Sequence, residues 1–189
     1  MDEIDRIFEL IASKGTVWYG REPITLEQHS LQTARLAEID GAAPALVAAA
    51  LLHDLGHLLS KDARGTGEGQ VRDDRHEYIA GGYLERMFGP AVAGPIHLHV
   101  EAKRFLCATV PGYSQGLSRA SVRSMELQGG IFSSADAAKF LDLPYARDAI
   151  RLRRWDDEAK DPAAKTKSLS DYAPLLRALV VAQPVGTSR

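Results

Sequence analysis

His53 and Asp54 stand side by side in the chain, and His57 follows four positions after His53. An imidazole nitrogen and a carboxylate oxygen suit the same hard or borderline cation, so this dipeptide can present two ligand atoms to one metal. It lies within Leu51-Leu52-His53-Asp54-Leu55-Gly56-His57, an apolar stretch with helical spacing. That spacing predicts one helical face shared by His53 and His57. His29, His76, His97 and His99 bring the total to six histidines in 189 residues, a supply that points to two metal ions rather than one.

The surrounding residues sort by chemistry. His29, taken by itself, reads as a buried histidine beside Leu26, Leu36 and Ala37. With His53, Asp54 and His57 on a neighbouring antiparallel helix, ligation becomes the better reading. His76 opens a helix, where the positive helix end favours neutral imidazole; the plainer reading is a surface histidine beside Asp73, Asp74 and Glu77. His97 and His99 are two apart and would point nearly opposite ways on a helix, so at most one enters a cluster. Lys103 is four residues after His99 and shares its face. A lysine aimed at a metal site is unfavourable unless an anion sits there too, so the pair points to an anionic substrate and makes His99 the better ligand. The segment 151–160 is heavily charged. It reads equally as a solvated face and as a site with Asp156 as a late carboxylate ligand and Arg153, one turn earlier, as an anion clamp.

Helices must position these groups. Ile4, Ile7, Phe8 and Ile11 follow helical periodicity, and Gly15 closes that helix. Thr25-Leu26-Glu27-Gln28 matches a capping box and predicts a second helix to about Ile39. Pro44 suits the first turn of a third, which would carry the His-Asp pair. Asp73 or Asp74 caps a fourth, ended by Gly89-Pro90. Helical pattern resumes around His99 to Ala108 and stops at Pro111-Gly112. Ser118 opens a short helix ending at Gly129-Gly130, and Ser134 opens another. Asp142-Leu143-Pro144 leads into a longer one reaching about Lys160, and an amphipathic segment from Ser170 to Val181 comes last. No stretch shows sustained alternation of period two, so the expected fold is an all-α, single-domain helical bundle over 1–189 with its core at about 8–160. The loops at 61–72 and 111–117 and the last few residues read as mobile.

Composition narrows the class. A hydrophobic share of 45% and a charged share of 25% belong to an ordinary soluble globular protein. A net charge of -2 leaves no footprint for nucleic acid or an anionic membrane. The longest apolar run, Pro44 to Leu52, is too short to span a bilayer. The single cysteine, Cys107, has no partner for an internal disulfide, and its neighbours Phe105 and Leu106 favour a packing role over a reactive one. With an acidic N-terminus lacking a signal-peptide pattern, the expected location is the cytoplasm. Oligomeric state is open.

The chain resembles the HD-domain superfamily through His29, His53-Asp54 and Asp156. Within it, the chain resembles the small mixed-valence diiron oxygenases of phosphonate catabolism. Narrower motifs carry that second resemblance: Tyr19-Gly20-Arg21-Glu22 ahead of His29, His76 and His99 as extra histidines, His99 to Leu106, Leu117 to Ser124, Leu127-Gln128-Gly129-Gly130, and Arg153-Arg154-Trp155-Asp156-Asp157. The resemblance implies one iron held by His29, His53, Asp54 and Asp156, and a second held by Asp54, His76 and His99, as an Fe(II)/Fe(III) pair with O2 as co-substrate. It implies that Tyr19 occupies a coordination position at rest and withdraws when substrate arrives. Glu22 would face the substrate's cationic end, and His57 would stand just outside the ligand set near bound oxygen. Lys103, Ser121, Ser124, Gln128 and Arg153 would hold the phosphonate.

The implied reaction is O2-dependent cleavage of the C–P bond of a 1-hydroxy-2-(amino or trimethylammonio)ethylphosphonate, releasing phosphate and glycine or glycine betaine. A primary ammonium offers three donors to Glu22, whereas a quaternary one prefers aromatic faces, for which Trp18 is the nearest candidate or else a packing residue. The main rival is an HD-type phosphohydrolase that activates water on a metal to cleave a nucleotide or other phosphate ester. The extra histidines and the Tyr-x-x-Glu loop weigh against it. A non-catalytic helical regulator or metal sensor is the remaining class, and an intact ligand set weighs against that.

Overall fold

The computed structural model describes residues 1–19, 22–59 and 76–181. The expected mobile loop at 61–72, the caps Asp73 and Asp74, and the last residues lie outside them. The described residues form helices α1 (Glu3–Lys14), α2 (Leu26–Ile39), α3 (Pro44–Leu52), α4 (Leu55–Leu59), α5 (His76–Phe88), α6 (Pro90–Thr109), α7 (Arg119–Leu127), α8 (Ser134–Leu141), α9 (Ala146–Glu158) and α10 (Ala173–Leu179). Among these residues there is no strand, only one isolated antiparallel bridge between Trp18 and Thr25. The all-α expectation is met.

Local chemistry explains the starts. Asp2 and Asp5 form a capping box on α1, and Thr25 and Gln28 form one on α2. Pro44 sits in the first turn of α3. α3 has no polar face, and Leu46 through Leu52 are buried on every side, as a helix wrapped by others must be. It packs against α2, α6 and α9, while α6 also carries α5 and α8. A second small cluster, Ala102, Phe140, Ala146 and Ala149, joins α6, α8 and α9.

Two boundaries differ from expectation. The helix carrying the His-Asp pair is not continuous: α3 ends at Leu52, His53 is its C-cap, and α4 begins after a turn. His53 and His57 therefore do not share one helical face, because the chain turns at His53-Asp54. α6 begins at Pro90, well before His99, and runs through Pro95. Gly89, at φ 78°, separates it from α5, and Pro90 at the first helical position costs no bond.

α6 and α9 approach closely at one point. A Cβ on Gly94 would lie 2.4 Å from the ring of Tyr145, and Tyr145 itself is held at φ 65° just before α9. Similarly, the ring of His97 covers Gly81 of α5, where a Cβ would lie 2.1 Å from it, and it meets Tyr78. His97 thus faces α5, and His99 faces inward, buried at 2% exposure.

Candidate metal and anion site

Five elements bring one cluster together. His29 comes from α2, His53 from the end of α3, Asp54 from the turn after it, His99 from α6 and Asp156 from α9, and all five are buried. His29 Nε2 lies 3.2 Å from His53 Nε2, 3.7 Å from Asp54 Oδ2 and 3.3 Å from Asp156 Oδ1. His53 Nε2 lies 3.4 Å from Asp54 Oδ2, and the His99 ring stands edge-on to His53 at 5.6 Å.

The far nitrogens of these rings fix their tautomers. His29 Nδ1 donates to the carbonyl of Ala159 at 2.9 Å, His53 Nδ1 to that of Ala50 at 2.9 Å, and His99 Nδ1 to that of Ile96 at 2.6 Å. A carbonyl only accepts, so each Nδ1 carries the hydrogen, and each neutral ring presents Nε2 as a lone pair. Two such lone pairs face each other between two carboxylates. That donor set has the composition and the crowding that a cation resolves, and ligand atoms of His29, His53 and Asp54 all lie within 4.8 Å of one another. The residues present therefore fit a metal ion.

Electrostatics follow from the same packing. Burial pushes the His29 imidazole down, but the hydrogen bond and charge of Asp156 and the charge of Asp54 outweigh it and hold it above its usual value. Burial dominates at His53 and lowers it. Burial would raise Asp156, yet the Arg153 guanidinium holds its carboxyl well below the usual range. These directions belong to the protein groups alone, and a bound cation adds to the pull on the carboxylates.

Tyr19 closes the cluster from the α1–α2 loop. Its ring stacks on His29 at 3.8 Å, and its hydroxyl donates to Asp156 Oδ1 at 3.4 Å. Burial, then the charges of Asp156 and Asp54, push its pKa well above 10. Trp18, its neighbour in the extended stretch, is 67% exposed on the other side, as alternation along extended chain requires. Trp18 does not line the cluster. Glu22 sits three residues on, its amide bonded to the carbonyl of Tyr19 at 3.0 Å; Gly20 and Arg21 of that motif lie outside the described residues. His57 is at the rim, with Nε2 3.8 Å from Asp54 Oδ1. The backbone of His76 opens α5, and its side chain lies outside the described residues.

A basic corner adjoins the cluster. Lys103, buried on α6, donates to Ser124 Oγ at 2.6 Å and to Gln128 Oε1 at 3.0 Å, both from the α7 region. Ser121 lies one turn before Ser124, and its hydroxyl accepts from that of Ser118 at 3.2 Å. Arg153, buried on α9, donates from Nη1 to Asp156 Oδ2 at 2.7 Å and from Nε to Asp157 Oδ2 at 3.0 Å, while Nη2 reaches Asp157 Oδ1. Burial first, then the charge of Arg153, lowers the Lys103 ammonium to about 8. Two buried cations that oppose each other's charge beside hydroxyl and amide groups form a corner that an anion would relieve.

Some functional contacts have no sequence signal. The carbonyls of Ala159, Ala50 and Ile96 orient the imidazoles, and a backbone carbonyl is the same atom in every residue. Tyr113, which donates to Asp157, lies in a turn read only as loop. Asp157 itself was visible in the final motif, without an assigned role.

The HD-domain family signature matches residues 26–140. The chain is 42% identical over 171 residues to hydroxymethylphosphonate dioxygenase of Gimesia maris, covering 90% of this chain and 85% of that protein. It is 34% identical over 167 residues to the glycine-betaine-forming [1-hydroxy-2-(trimethylamino)ethyl]phosphonate dioxygenase of Leisingera caerulea, covering 88% and 85%. The histidine-carboxylate cluster, the basic corner and these likenesses agree: the chain belongs to the HD-domain phosphonate dioxygenases, enzymes that use O2 and a metal to break a carbon–phosphorus bond.

Proposed function

We propose that this enzyme cleaves a short 1-hydroxyphosphonate on a mixed-valence pair of irons, with hydroxymethylphosphonate as the first substrate to test. The observation that carries this reading is the adjacency of Asp156 and Arg153, one turn face with a carboxylate toward the imidazole cluster and a guanidinium toward the basic corner. A substrate with a hydroxyl and a phosphonate on one carbon has one oxygen-bearing group for each side of that pair.

In this reading His29, His53, Asp54 and Asp156 hold one iron, and Asp54, His76 and His99 hold the second. Iron there supplies the redox chemistry that activates O2. Lys103 and Arg153 bind the phosphonate dianion by charge-assisted hydrogen bonds. Ser124 and Gln128 orient the Lys103 ammonium, and Ser121 adds a hydroxyl beside them. Tyr19 would cover the cluster until substrate displaces its hydroxyl from Asp156, and His57 would stand at the rim beside Asp54. The balance closes without a further reductant: the hydroxymethylphosphonate dianion and O2 give formate, hydrogen phosphate and one proton. One oxygen atom enters the carbon product and one the phosphate.

A second reading, 2-amino-1-hydroxyethylphosphonate with glycine as product, is favoured by the Glu22 carboxylate on the Tyr19 loop. The trimethylammonium analogue is less favoured, because Trp18 faces away from the cluster. The test is oxygen uptake by iron-loaded protein with these three phosphonates, with phosphate and the organic acid measured together. Two irons per chain, a drop of about one in His99→Ala, and phosphate release matching O2 consumed are expected. One metal per chain regardless of His99, or phosphate release without O2, would overturn the reading.

A further inference from the structure

Arg153 does not stand alone at the basic corner. Asp157 grips it side-on through Nε and Nη2, while Asp156 takes Nη1. Three of the five N–H donors of a guanidinium are thereby committed, leaving one on each Nη nitrogen for an anion. What holds Asp157 then decides where those two point. Asp157 is one residue past Asp156 on α9, and its Oδ2 receives both Arg153 Nε and the hydroxyl of Tyr113.

Tyr113 comes from elsewhere in the fold. It opens the short helical turn Tyr113–Gly116, which leads from the end of α6 straight into α7. α7 brings Ser121 and Ser124, and Gln128 caps its end. The same stretch is tied down at its far end by Arg104, which donates to the carbonyls of Gly130 at 2.7 Å and Gly129 at 3.1 Å. Apart from Met125, α7 carries no buried apolar side chain among its described residues, so side-chain hydrogen bonds, more than core packing, seat it.

We infer that Tyr113 is a positioning residue for the anion site: through Asp157 it orients Arg153, and it couples that orientation to the seating of α7. The inference rests on the reading of Lys103 and Arg153 as the phosphonate clamp. Tyr113 touches no substrate in this arrangement. A phenol hydroxyl on a carboxylate that is already paired with arginine removes a degree of freedom from the fork, since Asp157 then has donors on both sides of Oδ2.

Calorimetric titration of the iron-loaded protein with inorganic phosphate tests this without requiring turnover. Tyr113→Phe keeps the ring and removes one hydroxyl; because it acts on the anion only through Asp157, it should weaken phosphate binding by about 5- to 10-fold, the net worth of one ordinary hydrogen bond. Iron content and melting temperature should stay near those of the unmodified protein. Asp157→Asn should weaken binding at least as much, and the double variant should be no weaker than Asp157→Asn alone, because both act through one fork. Additive losses, or unchanged affinity in Tyr113→Phe, would overturn the inference. Lys103→Ala separates the two claims. If Lys103→Ala weakens binding and Tyr113→Phe does not, the positioning role fails and the clamp stands. If neither does, or if the unmodified protein binds no phosphate, both fail.

Discussion

A single lysine shows how burial becomes a pH dependence. Lys103 in the free protein has its ammonium lowered to about 8 by burial and by Arg153. An anion binds the protonated form, so below pH 8 the charge is present and above it the charge is lost as pH rises. The expected result is a kcat/KM for hydroxymethylphosphonate that falls above about pH 8, approaching tenfold per unit. In Lys103→Arg that limb should move up out of the accessible range, because a guanidinium stays charged. A limb at the same pH in both proteins would assign it to another group. At this scale much was legible in the sequence. His29, His53, Asp54 and His99 stood out because imidazoles and carboxylates seldom recur together among apolar neighbours, whereas Asp156, in the heavily charged stretch 151–160, read equally as part of a solvated face. Lys103 stood out because an ammonium next to a ligand histidine demands a counter-charge. What could not be read was Tyr113: nothing in a tyrosine within a loop says that a carboxylate 44 positions later will accept from it.

Among the elements, α6 carries much of the site. It supplies His99 and Lys103, and it packs on α3, α5, α8 and α9. One of its close approaches, Gly94 under the Tyr145 ring, makes a specific prediction. Gly94→Ala gains helix propensity worth about 1 kcal/mol but forces a Cβ into an aromatic ring whose backbone is already at positive φ. Overpacking of this kind costs roughly 1–3 kcal/mol, so a net loss of about 1 kcal/mol is expected in urea unfolding. Gly82→Ala on α5, where a Cβ meets nothing within 4 Å, should instead stabilise by a few tenths to about 1 kcal/mol. Equal responses would remove the close approach as the cause. The Thr25–Gln28 capping box announced α2 correctly because its bonds are local, and apolar periodicity announced α1, to which the structure adds the Asp2–Asp5 box. The break at His53-Asp54 was hidden, since apolar spacing continues across it in Leu51, Leu52, Leu55 and Leu58. The early start of α6 was hidden by two prolines, which read as breakers although one sits where a helix tolerates it.

For the whole molecule, the all-α reading followed from the lack of two-residue alternation and held throughout the described residues. The clustering of His29, the His53-Asp54 turn, His99 and Asp156 did not follow, because it depends on how α2, α3, α6 and α9 pack. That clustering gives a global prediction. A cation that binds only the folded arrangement stabilises it by mass action, about 4 kcal/mol at a thousandfold excess over Kd. Chelation should therefore lower the melting temperature by roughly 10 °C for a chain of this size, with recovery on adding iron back; an unchanged transition in protein shown to have lost its iron would count against a metal held by the folded cluster. The modest anchoring of α7 has a consequence of another kind. In the proposed function the metal would be held by the buried cluster, and recognition of the anion would be shared with a stretch, 111–131, fastened mainly by Arg104, Lys103 and Tyr113. Such a division would let selection or an engineer exchange the recognition stretch while the buried cluster stays in place, as long as Tyr113 is kept to hold Asp157 and Arg153 beside Asp156, so new phosphonates could be admitted by grafting some twenty residues instead of redesigning a protein.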